Sequence, residues 1–167
     1  MNGKITAVNF VRSRESDMAK VDRIMEIWLE TNIDAHHFVS KEYWLNNYEA
    51  VRDALFDAQI LTYEQDRIEG FAGITDKSYI AGLFVAKQLQ RHGVGSLLIE
   101  ECKRRSQHLE LGVYVKNTGS VAFYEKHGFT VKHEKENDAT HEQEYHMSWT
   151  YPVGPGNRFA DQDRKMS

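Results

Sequence analysis

Residues 90–95 read Gln-Arg-His-Gly-Val-Gly and lie between an apolar run, YIAGLFVA, and a helical one, SLLIEECKRR. Two glycines one residue apart, where a strand passes into a helix, suit an anion. The first N–H groups of a helix have no intrahelical partner, and the macrodipole adds about half a positive charge there. Without a Cβ at Gly93 or Gly95, a phosphate can approach those amides closely. A tight turn with no ligand has the same glycine requirement, so other residues must decide. A P-loop needs GxxxxGK[ST], and here Gly95 is followed by Ser96 and Leu97, with no lysine. A dinucleotide fingerprint needs a third glycine, which Gly93-Val94-Gly95-Ser96-Leu97-Leu98 lacks. Metal binding fails on spacing. His141 and His146 would face opposite sides of a strand, and the adjacent His36 and His37 lack a companion Cys or carboxylate pattern.

The elements around this turn follow from hydrophobic period. Residues 5–11 are strand-like by β-branched content. From Asp17, the spacing of Val21, Ile24, Met25, Trp28 and Leu29 predicts an amphipathic helix. Ser40 is a plausible N-cap for a second helix, with Trp44, Tyr48, Val51 and Leu55 on one face. Strands follow over 60–64, 68–74 and 79–85, the last apolar on both faces and so expected to be central and buried. After the glycine turn come a helix with Val94, Leu97, Leu98 and Cys102 on one side, a strand over 109–115, and a short helix around SVAFYEKH. That helix stops at Gly128, a left-handed C-cap. FTVKHE and EYHMSWT close the domain as an antiparallel pair. The order β-α-α-β-β-β-α-β-α-β-β predicts a mixed α/β sheet with one right-handed parallel crossover from 79–85 through a helix to 109–115. Loops at the C-terminal ends of that parallel pair are the expected ligand site.

The 167 residues, 41% hydrophobic, suffice for one domain with a core. We expect that domain to span 1–150, with 151–167, which holds both prolines, as a flexible tail. A formal charge of −4 argues against nucleic-acid binding by bulk electrostatics. No apolar stretch reaches a membrane span, and the N-terminus lacks a signal-like apolar region. The single Cys102 excludes an intramolecular disulfide and fits a reducing cytoplasm, which is the expected location.

Gln90, Gly93 and Gly95 match [QR]-x-x-G-x-[GA], the pattern that follows a central strand and binds the pyrophosphate of coenzyme A. At these residues the chain resembles the GNAT superfamily of N-acetyltransferases, in particular its small stand-alone bacterial members. The resemblance covers most of residues 4–150. It rests on LFVAKQLQRHGVGSLLIEEC, on LELGVYVKNTGSVAFYEKHGF at the usual distance, and on the element order. Trp28-Leu29-Glu30, Glu42-Tyr43-Trp44 and Met147-Ser148-Trp149 add to the likeness, and some such proteins are protein-lysine acetyltransferases.

The resemblance implies the GNAT fold: a mixed, mostly antiparallel central sheet with one parallel crossover, flanked by four helices. It implies acetyl-CoA as cofactor. Backbone groups of Leu83, Phe84 and Val85 would meet the pantetheine arm, and Gln90, Arg91, His92, Gly93, Val94, Gly95 and Ser96 would wrap the pyrophosphate. Asn117 would hydrogen-bond the cofactor arm, and Tyr124 would protonate the leaving thiolate. The family often has Pro where Lys87 stands, a difference in turn stiffness rather than anion chemistry.

Acetyl transfer to an amine needs a neutral nucleophile, a polarised carbonyl and a proton for sulfur. A backbone N–H from Phe84 or Val85 would polarise the carbonyl. Tyr124, with an ordinary pKa near 10, suits the acid. The base stays open among His36, His37, Asp76, Glu69 and a water-relayed path. Asp34, Glu42 and Glu49 either favour a cationic acceptor or form a solvated helix face, and Trp28, Trp44 and Tyr48 read mostly as core. The expected acceptor is a primary amine on a protein lysine, an N-terminus or a small molecule, used directly in a ternary complex. Pairing of the final strands would give a homodimer. A non-catalytic acyl-CoA sensor is the alternative, and an ATP- or NAD-binding protein a third reading.

Overall fold

The computed structural model describes residues 2–76 and 78–152. The tail expected over 151–167 lies, apart from Tyr151 and Pro152, outside the described residues. Strand β1 spans Lys4–Val8, helix α1 Glu15–Ala35 and α2 Lys41–Ala54. Strands β2 (Gln59–Glu64), β3 (Ile68–Thr75) and β4 (Tyr79–Val85) follow, then α3 (Val94–Arg105) and β5 (His108–Tyr114). Helix α4 (Thr118–Lys126), β6 (Thr130–Glu136) and β7 (Gln143–Thr150) complete the unit. The succession agrees with the reading from period.

The seven strands form one sheet in the order β1-β2-β3-β4-β5-β7-β6. β4 and β5 run parallel, and the other neighbouring pairs are antiparallel. Burial explains the two layers. In β2 the alternating side chains Ile60 and Leu61, both fully buried, belong to different cores because successive residues point to opposite faces. Ile60 joins Val21, Ile24 and Met25 of α1, whereas Leu61 joins Leu98, Ile99 and Cys102 of α3. Burying such a side chain stabilises the fold by about 1.5–3 kcal/mol.

Local signals set the helix ends. Ser40 caps α2, its hydroxyl accepting from Tyr43 N–H at 3.3 Å. Gly128 follows α4 with φ of 88°, a left-handed position that suits glycine. α1 runs two turns past its apolar stripe. Its last turns are held by side chains bonding back to the helix, Thr31 Oγ1 to Ile27 O and Asn32 Nδ2 to Trp28 O.

β4 departs from the sequence expectation. It is central in the sheet, but Ile80 is its one buried residue and Leu83, Phe84 and Val85 are half-buried. The reason is a gap beside it.

Candidate active site

β4 and β5 pair only at Tyr79 opposite Glu110 and Ile80 opposite Leu111. Gly73 of β3 faces Gly82 while Ile74 faces Ile80, so Ala81 is an extra residue on β4, a bulge that bends the strand. Beyond it the two strands separate, and a cleft of about 300 Å³ opens between them. Trp28 and Trp44 line it from the helices on one face of the sheet, Ser120 and Tyr124 from α4 on the other. A gap through the sheet is what lets both faces meet.

The free edge of β4 presents alternate backbone groups to this gap. Ala86 N–H donates to Glu69 O of the β3 side at 2.8 Å. Because strand groups alternate, Phe84 N–H also faces β3, while those of Leu83 and Val85 face the opening. Of the two amides expected to polarise a carbonyl, Val85 is therefore the one directed away from β3.

Tyr124 lines the cleft, buried against Phe123 and Phe129 at ring distances of 5.2 and 5.7 Å. Burial pushes its phenol well above the ordinary tyrosine range, with the neighbouring Cys102 thiol adding to the shift. Among the described residues its hydroxyl has no protein hydrogen-bond partner. It holds its proton, and no protein acceptor among the described residues engages it.

His36 is the candidate base that lines the cleft. It is packed between Trp44 and Tyr114. Its Nδ1 faces Asn32 O at 3.1 Å, so that nitrogen carries the hydrogen, and Nε2 accepts from Asn117 Nδ2 at 3.0 Å. Desolvation lowers its pKa, opposed by the bond to Asn32. The lone pair a base would use is occupied. His37 is exposed and Asp76 sits in an exposed turn, both away from the cleft. Glu69 is held by Arg23 at 3.1 Å, by Arg67 at 3.1 Å and by Gln88 at 3.2 Å.

Asn117 caps α4, its Oδ1 accepting from Ser120 N–H at 3.2 Å while its Nδ2 serves His36. Gln90 folds back onto its own turn, Nε2 donating to Val85 O at 3.0 Å. Arg91 and His92 are exposed. The first bond of α3 runs from Leu97 N–H to Gly93 O at 3.1 Å, so the N–H groups of Val94, Gly95 and Ser96 precede the helical ladder. The two glycines have different reasons. Gly93 has φ of 87° and open space where a Cβ would stand, whereas a Cβ on Gly95 would lie 3.3 Å from the Phe123 ring. Residues 90–96 are outside the lining of the cleft, which takes in Leu83, Phe84, Asn117 and Tyr124 from the expected set.

Sequence reasoning missed part of the site. Glu144 of β7, Asn137, Tyr79 and Tyr114 all line the cleft. Burial, and then Glu144, raise the Tyr79 pKa, and burial pushes that of Tyr114 up to about 12. Asp34, Glu42 and Glu49 are not at the cleft, and Asp34 pairs with Lys87 at 3.3 Å. Trp28 and Trp44 are core and cleft wall together. Among the described residues no three His, Cys, Asp or Glu side chains are grouped to hold a metal ion, and no helix is long and apolar enough to cross a membrane.

Residues 34–150 match the acetyltransferase (GNAT) domain family. The chain belongs to the GNAT acetyltransferases. This acetyltransferase is 35% identical over 138 residues to peptidyl-lysine N-acetyltransferase YiaC of Escherichia coli K12, covering 81% of this chain and 94% of that one. The solution structure of apo-form YjaB from Escherichia coli superposes with a TM-score of 0.75 at 21% identity, over 91% of this chain and all of that one. A putative streptothricin acetyltransferase from Bacillus anthracis, in complex with acetyl coenzyme A, matches 57% of this chain and 64% of that one, with a TM-score of 0.51 at 22% identity. The GNAT fold expected from the motif is the fold observed.

Proposed function

We propose that this acetyltransferase moves the acetyl group of acetyl-CoA directly to the side-chain amine of a lysine in a protein or peptide, both substrates being bound together. The observation that carries the reading is Tyr124. Among the described residues it is a buried phenol whose hydroxyl has no protein hydrogen-bond partner, and it lines the cleft where β4 and β5 part. The name of the YiaC relative supports the lysine acceptor, and the acetyl coenzyme A bound by the Bacillus anthracis neighbour supports the donor.

The donor set fits such a ligand. The N–H groups of Val94, Gly95 and Ser96 offer an anion site at the start of α3. Leu83 and Val85 offer an open strand edge for an amide-bearing arm. Trp44 Nε1 is a buried side-chain nitrogen without a hydrogen-bond partner among the described residues, as expected of a group left for a ligand or water. Residues Gln90–Ser96 would hold the pyrophosphate, Gln90 by bracing the turn through Val85 O rather than by direct contact. When bound, acetyl-CoA supplies an activated thioester acyl group. Val85 N–H orients the carbonyl, Tyr124 keeps a proton at its hydroxyl for the sulfur, and the aromatic walls exclude water.

The test is acetylation itself. Full-length protein with acetyl-CoA and lysine-containing peptides should give peptide masses raised by one acetyl group, located on the lysine Nζ by fragmentation. Release of free coenzyme A without peptide modification would sink the acceptor assignment, and binding of acetyl-CoA with neither would sink the catalytic one.

A further inference from the structure

Glu144 is the carboxylate among the residues lining the cleft. On β7 it lies opposite Tyr114 of β5, so the sheet register places it at the splayed end of the strands. Asn137 fixes it. Asn137 Oδ1 accepts from the N–H groups of Ala139 at 2.9 Å and Thr140 at 3.0 Å, which leaves its Nδ2 to donate to Glu144 Oε1 at 2.5 Å. The other oxygen stands over Gly112. A Cβ there would lie 3.6 Å from Glu144 Oε2 and 3.3 Å from the Tyr79 hydroxyl.

Among the described residues this carboxylate has no cationic partner. Lys135 faces it in the β6–β7 register without an ion pair, and the nearby Lys116 is taken by Glu142 at 3.1 Å. Among the described residues no Lys or Arg pairs with Glu144. The walls beside it are aromatic. Trp28, Tyr43, Trp44 and Tyr114 give apolar area for a methylene stem and ring faces for a cation.

We propose that Glu144 is the specificity-determining residue for the acceptor, its Oε2 receiving the ammonium group of an extended alkylamine whose stem lies along Trp28 and Trp44. This rests on the lysine-acceptor reading above and names the residue that selects a lysine-like side chain over α-amines, which have no such stem. Glu144 binds and aims the amine in its ammonium form, which gives up one proton to water before the nitrogen attacks the thioester.

The experiment compares wild type, E144Q and E144D on a lysyl peptide and on the same peptide with norleucine, which keeps the stem and lacks the nitrogen. Binding is measured by calorimetry with coenzyme A present, and turnover by coenzyme A release. Wild type should bind the lysyl peptide more tightly than the norleucine one. E144Q should lose about ten- to a hundredfold of lysyl affinity, with a matching rise in KM. E144D should recover part, while norleucine affinity, acetyl-CoA KM and Tm stay within about twofold or a degree. Equal binding of the two peptides by wild type, or equal losses for both in E144Q, overturns the proposal. Preferential lysyl binding without acetylation would overturn the transfer reading instead and leave Glu144 as the amine site.

Discussion

His36 Nε2 accepts from Asn117 Nδ2 at 3.0 Å, joining the end of α1 to the first turn of α4 across 81 residues of chain. The same Asn117 caps α4 with its Oδ1. With Nδ1–H on Asn32 O, the ring is fixed as one neutral tautomer. His36 thus positions the wall of the cleft that holds Trp44, and its lone pair is committed to Asn117.

This linkage gives a pH dependence. Desolvation is the main cause of the lowered His36 pKa, so the folded state favours the neutral ring. The stability that follows is fully present above the ordinary value of about 6.5 and is lost as pH falls below it toward the folded pKa. Each unit of depression is worth about 1.4 kcal/mol. Tm should therefore drop between pH 7.5 and pH 5, and His36→Gln should flatten that slope while lowering Tm at pH 7.5. A variant with the wild-type slope would remove His36 from the account.

Tyr124→Phe keeps the ring packing against Phe123 and Phe129 and removes the proton. Turnover should fall about a hundredfold or more, with acetyl-CoA affinity within twofold of wild type. Because burial raises the phenol, its loss of a proton should contribute no alkaline limb to the rate below about pH 10. Full activity in the Phe variant would take the acid role away from Tyr124.

Local pattern was enough for the elements and for the glycine turn. The limits of β4, Tyr79–Val85, agree with the apolar run, and Ser40 and Gly128 bound their helices as their chemistry requires. What sequence did not show is long-range. Apolarity on both faces of β4 predicted burial, but the bulge at Ala81 and the two-residue pairing with β5 open its far half. Glu144 reaches the cleft through the register that sets it opposite Tyr114 and through the turn that aims Asn137. Its alternation with His146 in EYHMSWT gave a face and no partner. Asp34, Glu42 and Glu49 stood open between a cationic acceptor and a solvated helix face, and none of them lines the cleft.

Cys102 is fully buried beneath Tyr124, and desolvation pushes its thiol up to about 12. The thiolate is the reactive form, so the native protein should not react with thiol reagents over minutes at pH 8. Stoichiometric labelling should appear only with denaturant, in step with the unfolding transition followed by circular dichroism. Rapid labelling of the folded protein would contradict this burial and the environment inferred for Tyr124.

Gly93 and Gly95 separate by what each glycine is for. Gly93→Ala meets no neighbour, so its cost is the left-handed backbone alone, about 1–2 kcal/mol, and Gly93→Asn should recover part of it. Gly95→Ala places a Cβ 3.3 Å from Phe123, whose ring lies 5.2 Å from that of Tyr124. The displaced ring presses on α4 at Tyr124. Gly95→Ala should therefore lower turnover as well as Tm, whereas Gly93→Ala should lower Tm and weaken acetyl-CoA binding, with turnover at saturation near wild type. Denaturant melts, calorimetric affinities and kcat on the three variants decide it. If the two alanine variants behaved alike, the distinction between backbone strain at Gly93 and ring contact at Gly95 would be wrong.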